Sequence, residues 1–368
     1  MLRLHYKSIF YLIILIALLI RVYFVFFTNF GWYGCDSEMY LKMGQAILDG
    51  KPISYFPNGY PLLVALVNLF SGYYTPTVLV IINIAAQILT LFIAERILLY
   101  FDLSDRIKIA AILLLAFYPD QLSRVRFIMT EPLSVLLMML SIYLFLEKKY
   151  YLTGFLSYIV YAFRPSLLLF APFVIIYQLY KKHVQSAFRL ALGFAIGIAL
   201  FLLSDASGLT APLGSTTQNL LVAVNSSGYN IDFAMYNFTK EQIDHPVKTY
   251  LNFVGSHPLE YLKQRVLVLW SLWGPYVPTE LGIFANVLHG LRFPFFIGAV
   301  ITFLARKRFG VYKELIFILF LPVLSLTIVQ LIFFANQRHT FAAEPFVIML
   351  SVIGMAHFLA RDFKIKDK

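Results

Sequence analysis

The sequence predicts an all-α integral membrane protein, one polytopic domain over residues 1–368 with about ten transmembrane helices. Three observations lead there. The chain is 60% hydrophobic and 13% charged, against about 25% charged in an ordinary soluble domain. Its apolar residues come in uninterrupted blocks, such as Val78–Leu99, Leu315–Phe334 and Phe341–Leu359, each near the ~20 residues that a bilayer requires. Its basic residues sit in short clusters between those blocks: Lys148-Lys149, Lys181-Lys182, Arg306-Lys307-Arg308 and the run from Arg361 to Lys368. That is the signature of cytoplasmic loops. A net charge of +11 distributed in this way speaks for membrane orientation and against nucleic acid, which calls for a basic stripe interleaved with aromatics. Cys35 is the only cysteine, so there is no internal disulfide and no thiolate metal cluster.

Each element follows from block length and loop charge. Helix one, Lys7–Phe27, leaves the cytoplasm. It resembles a secretory signal, but no small-residue cleavage site follows and Arg21 interrupts the apolar run, so it is retained. Residues 28–75 form the first outer loop, with a polar helix over Asp36–Leu48 and a short interfacial stretch after Pro61. Helix two, Pro76–Leu99, returns to an inner loop carrying Arg96, Arg106 and Lys108. Helices three and four bracket an outer turn, Tyr118–Glu131, and end at Lys148-Lys149. Helices five and six make a shorter hairpin broken outside at Arg164-Pro165, because proline disfavours helix at the preceding residue. Helix seven, Ala187–Ser204, leads into the long outer loop 205–281, the kind of insertion that often carries function. Helices eight to ten close the chain, with Arg306–Lys313 inside and Asn336–Glu344 outside. The C-terminus returns to the cytoplasm with no soluble domain after it.

The outer segments hold the residues that carry chemistry. Asp36 and Tyr40 stand four apart on one helix face, although a carboxylate at a helix start also serves as an N-cap. Glu38 points elsewhere and is solvated. The outer turn adds Asp120, Arg124, Arg126 and Glu131. The plainer reading of these is an interfacial ion-pair cluster with snorkelling arginines, and for Glu131, just before Pro132, a helix-start carboxylate. Arg164, Arg338 and His339 complete an outer basic set. Arg21 lies deep in helix one, where an unpaired charge costs several kcal/mol unless it snorkels to the headgroups; essentially no other charge falls inside a span. The 7 histidines show no ligand spacing, and the glycines form no phosphate loop. Asn225-Ser226-Ser227 and Asn237-Phe238-Thr239 match the glycosylation acceptor pattern, which counts only if the outer face is a secretory lumen.

Four ordered motifs together resemble the GT-C superfamily of membrane glycosyltransferases, specifically the bacterial relatives of dolichyl-phosphate-mannose–protein mannosyltransferase and the lipid A aminoarabinose transferase. They are Asp36-x-x-x-Tyr40 followed by Tyr55-x-Pro57-x-Gly59-Tyr60-Pro61; Ser123 with Thr130-Glu131-Pro132-Leu133; Phe163-Arg164-Pro165; and Asn336-Gln337-Arg338-His339 with Glu344-Pro345-Phe346. The resemblance implies an enzyme of a bacterial cytoplasmic (inner) membrane with its active site on the outer face. Its substrates would be a polyprenyl-phosphate-linked sugar and an acceptor hydroxyl on a glycan, lipid or protein, transfer being inverting. Asp36 would match the family's first-loop catalytic acid and take the acceptor proton, with Glu131 as the second carboxylate. Arg124, Arg126, Arg164, Arg338, His339 and Arg21 would hold the donor phosphate, and Tyr40, Tyr60 and Asp120 would line the substrate pocket. A divalent cation is left open. The chain departs from the family in separating Asp36 from Glu38 by Ser37, where protein mannosyltransferases carry adjacent Asp-Glu, and in having His339 where tyrosine is common.

Two other classes compete. A transporter or flippase of a lipid-linked sugar calls for charges near the midplane, broken helices and an inverted repeat; the polar groups here gather on one face instead. A noncatalytic assembly subunit would share the fold without needing Asp36.

Overall fold

Inside a bilayer every backbone N–H and C=O must find its partner within the chain, so long apolar blocks become helices. The computed structural model describes residues 2–28, 36–51, 57–206, 220–221, 223–224, 238–275, 282–333 and 337–359. All regular structure among them is helical. Four stretches are long and apolar enough to cross a membrane: Tyr6–Phe26, Gly59–Leu98, Val184–Leu202 and Arg306–Ile332. Shorter apolar helices cover Glu131–Leu146, Pro165–Tyr180, His289–Leu304 and Glu344–Leu359.

Helix α1 (Leu2–Phe26) is followed by α2 (Ser37–Leu48) and α3 (Gly59–Ser71), which pack on each other. The apolar stretch after Pro61 forms its own 13-residue helix, α3. A 3-10 turn, Gly72–Tyr74, separates it from α4 (Thr75–Leu98). Gly72 makes that turn with φ 50° and ψ −119°, a conformation that a side chain resists. Next come α5 (Asp105–Phe117), the single-turn-and-a-half α6 (Pro119–Arg124) and α7 (Glu131–Leu146). Helices α8 (Tyr150–Phe163) and α9 (Phe170–Tyr180) are separated where expected: Arg164 is extended, at φ −146° and ψ 95°, and Pro165–Leu167 form a 3-10 turn. Helix α10 (Val184–Ala206) crosses α8 at van der Waals contact of the two backbones. A Cβ on Gly154 would stand 2.0 Å from the Leu190 carbonyl oxygen, and one on Gly193 would stand 2.1 Å from that of Tyr151. Small residues permit such close crossings. Helices α11 (Lys240–Asp244), α12 (Pro246–Ser256) and α13 (Pro258–Trp273) occupy the long loop. The last three are α14 (Gly282–Leu304), α15 (Lys313–Ile332) and α16 (Glu344–Leu359). Cys35, Tyr55, Asn225 and Asn237 lie outside the described residues.

The main core is built from Phe10, Ala17, Leu91, Ile112, Met138, Ile142, Leu319 and Phe346, among others, and ties α1, α4, α5, α7, α15 and α16 together. A second cluster, with Val25, Tyr40, Tyr60, Val64, Leu79, Val125 and Ile128, joins α1 to α4 with the outer turn. Unequal helix lengths set the turn between α5 and α7 back from the end of α4, a recess into which α2 and α3 pack. Helix α4 has 24 residues but α5 only 13 and α7 only 16, and each residue adds about 1.5 Å. The turn between α5 and α7 is therefore sunk beside α4 rather than level with its end. Asn83, well inside α4, donates to the Val125 and Phe127 carbonyls at 3.3 and 2.7 Å. Eight residues of α4 precede Asn83, so the turn lies about 12 Å below the helix end.

Candidate functional site

The recess is built from the outer turn upward. Proline at the start of α6 sets the turn, and Asp120 follows it in the first helical position after the proline. Its Oδ1 accepts from Arg124 Nε at 3.2 Å, one turn on along the same helix face, and its backbone oxygen accepts from Ser123 Oγ at 2.9 Å. Glu131 opens α7 with Pro132 behind it and is buried. Its carboxylate pairs with Arg164 Nη1 at 3.4 Å, and that same nitrogen reaches Thr130 Oγ1 at 3.3 Å. The extended backbone at Arg164 is what carries its side chain from the end of α8 across to α7. Glu131 stands where a carboxylate suits the helix dipole, but its partner is a guanidinium, and no side chain caps α7.

Asp36 occupies the N-cap position of α2 without capping: its side chain makes no cap hydrogen bond. Beside it, Ser37 Oγ accepts from the Ile128 N–H at 3.2 Å, which anchors the start of α2 on the outer turn three residues before Glu131. Tyr40 and Tyr60 are buried with their rings edge to face at 4.8 Å, and Tyr60 meets Phe163, the neighbour of Arg164, at 6.1 Å. That aromatic column links the helix that bears Asp36 to the arginine that pairs with Glu131. The Tyr60 hydroxyl is fully buried and has no hydrogen-bond partner among the described residues, a state that costs about 1–3 kcal/mol. Glu38 is exposed and pairs with Lys42 at 2.7 Å, as a solvated residue should.

The arginines differ in setting. Burial alone pushes the Arg124 guanidinium down; the fields of Asp120, Glu131 and Glu344, with the Asp120 hydrogen bond, outweigh it and hold the group above its ordinary value. Arg126 is pushed down by burial and stacks over Phe24 at 5.3 Å and Phe127 at 4.8 Å. Arg21 does not snorkel to the headgroups. It is buried, with Nε donating to Gln87 Oε1 at 2.6 Å and Nη1 to the Ala17 carbonyl at 3.1 Å. Gln87 passes the contact on to the Gln121 carbonyl at 2.6 Å, and Gln121 Nε2 donates to Glu344 Oε2 at 3.3 Å.

Arg21 is also not the sole charge inside a helix of the membrane domain. Arg292, midway along α14, is buried; its Nη1 donates to Thr340 Oγ1 at 2.5 Å and pairs with Glu344 at 3.4 Å. Its Nη2 contacts His289 at 2.7 Å. Glu344 in turn faces Asp120. A buried polar chain thus runs from α1 through α4, α6 and α16 to α14. Sequence reasoning passed over Gln87, Gln121, Arg292 and Thr340. One signal was available: Asn83, Gln87 and Thr90 put polar groups at helical spacing into an otherwise apolar block. Another is the repeated acid-proline helix start, Glu131-Pro132 and Glu344-Pro345. The segment bearing Arg338 and His339 reaches the recess through its backbone, since the Phe341 carbonyl accepts from Gln121 Nε2 at 3.4 Å; the two side chains themselves lie outside the described residues. Among the described residues, no group of three His, Cys, Asp or Glu is placed to hold a metal ion.

Compared with protein-family models, with curated proteins and with solved structures, the chain matches none.

Proposed function

We propose that this chain is a GT-C-like, inverting glycosyltransferase that moves a sugar from a polyprenyl-phosphate donor to an acceptor hydroxyl on the outer face of the membrane. The observation that carries the reading is the docking of α2 on the sunken outer turn. It anchors the start of α2, next to an Asp36 that is not used as a cap, on the turn that carries the Asp120–Arg124 pair and ends at Glu131, the partner of Arg164. The ten-span topology belongs to the same proposal. It counts the four long stretches and four shorter apolar helices, with α5 and α8 as the remaining spans.

The chemistry balances with these groups alone. The acceptor oxygen forms a bond to the anomeric carbon as the bond from that carbon to the phosphate oxygen breaks. Asp36 takes the hydroxyl proton, as a positioned carboxylate can. The lipid phosphate leaves with the electron pair and needs no general acid, being already acidic. Its charge is met by guanidinium groups in a site sheltered from water, where they act more strongly than in solution. Arg124 and Arg164 are the first two candidates, because each is already held beside a buried carboxylate. The orphaned Tyr60 hydroxyl supplies a buried donor for a sugar or phosphate oxygen.

One observation favours a second reading. The chain of buried polar groups from Arg21 to Arg292 crosses several helices, and intramembrane charge is what a transporter or flippase of the same lipid-linked sugar would carry. Purified protein in proteoliposomes with a labelled polyprenyl-phosphate sugar and envelope acceptors separates the two. Transferase action releases free polyprenyl phosphate and labels the acceptor. Transbilayer movement of the intact donor with no release sinks the transferase reading.

A further inference from the structure

We propose that α13 is a membrane-dipping helix whose outward face, formed by Leu259, Leu262, Val266, Leu269 and Trp270, rests among the acyl chains of the outer leaflet. The five lie on one side of the helix, at i, i+3, i+7, i+10 and i+11. They are 82%, 59%, 60%, 41% and 46% exposed, which would be a costly face to hold in water. The opposite face is committed to the protein. Arg265, Val268, Ser271 and Leu272 are buried there, and Arg265 Nη1 donates to the Leu331 and Phe333 carbonyls at 2.9 and 2.7 Å, closing the end of α15.

Hydrogen bonds set the depth. Arg265 is level with the outer end of α15, but two turns further on Trp273 Nε1 donates to Thr327 Oγ1 at 3.0 Å. Thr327 is five residues inside α15, about 7 Å down its axis. The next residue, Gly274, meets His289 at 3.3 Å through its carbonyl, and His289 is seven residues inside α14. Helix α13 therefore descends alongside two membrane helices, α15 and α14. A dip of this size matches the 5–10 Å to which interfacial helices sink.

The adjoining surface indicates lipid as the occupant. Exposed Val287, Leu291, Ile297, Ile301 and Leu304 form an apolar face along α14, and the Gly274–His289 contact sets the deep end of α13 beside its upper part. The outward charges of α13, Glu260 and Lys263, fall in its shallow half, and Trp270, of the type enriched at the membrane boundary, falls in the deep half. This account does not depend on what chemistry the recess performs.

Spin labels test it in full-length protein carrying Cys35→Ser, reconstituted in liposomes. Cysteines at Leu262, Val266 and Leu269 are compared with Glu260 and Asn252. The expected result is access to oxygen exceeding access to a water-soluble nickel chelate by several-fold at Val266 and Leu269, with the ratio rising from Leu262 to Leu269 and inverted at Glu260 and Asn252. Chelate access at Val266 and Leu269 equal to that at Asn252 would overturn the proposal by placing the face in water. Low access to both reagents would overturn it by placing protein over the face. Unlabelled protein gives an independent readout: brominated acyl chains should quench its tryptophan fluorescence, and most of the quenching should vanish in Trp270→Phe. Equal quenching in that variant would count against the proposal.

Discussion

Glu131 and Arg164 are both almost wholly buried, and each compensates part of the other's charge. Removing one partner from such a pair costs about 3–5 kcal/mol, because the survivor is left charged in a poor solvent. Glu131→Ala and Arg164→Ala should therefore each lower the unfolding temperature in detergent. The double variant should lose less than the sum, with a coupling energy of about 0.5–3 kcal/mol in a double-mutant cycle. Additive losses would mean that the 3.4 Å contact carries no energy. Tyr60→Phe should behave in the opposite way. It deletes a buried hydroxyl without a partner among the described residues, so thermal stability should hold or rise, while the Michaelis constant for the donor should rise if the hydroxyl meets substrate. At this scale the sequence was partly legible. The Asp36, Asp120, Glu131 and Arg164 positions stood out because acids and arginines are rare in an apolar chain. Arg292 did not, because its partners Glu344 and Thr340 are far along the chain, and only packing of α14 on α16 brings them together.

Elements were the most legible level, since block length and loop charge follow directly from the bilayer's thickness and field. The span within α10 needed nothing else, and the Arg164-Pro165 break needed only the effect of proline on the residue before it. The junction of α3 with α4 was harder. Read locally, the stretch after Pro61 is too short to cross, and where its helix ends is set by Gly72 adopting a conformation that sequence periodicity does not report. Gly72→Ala meets no steric neighbour, so its cost should be backbone strain alone, about 1–3 kcal/mol, seen as a lowered unfolding temperature. Gly154→Leu tests a different device. With 2.0 Å between its Cβ position and the Leu190 oxygen, α8 and α10 must separate, and overpacking of this kind costs about 1–3 kcal/mol or more. An unchanged unfolding temperature for Gly154→Leu would mean that the two helices do not cross as closely as described.

For the molecule as a whole, the question is which face the recess opens to. Cysteines placed at Lys148 and Lys307 should react with an impermeant maleimide only from the cytoplasmic side, and one at Lys248 only from the other. Labelling of Lys248 from the cytoplasmic side would invert the topology and put the recess on the wrong face. The recess itself was not legible in the sequence. It arises because α5 and α7 are shorter than α4, and a difference in helix length sets a turn back from its neighbour's end only when the helices are packed side by side. The most direct test of the transferase reading is single-turnover sugar transfer by Asp36→Asn with saturating lipid-linked donor. That change keeps shape and removes the base, so transfer should slow by about 10²–10⁴-fold while donor binding persists. Near wild-type transfer would contradict it, leaving Asp36 as a structural residue and the base to be sought at Glu131 or Asp120.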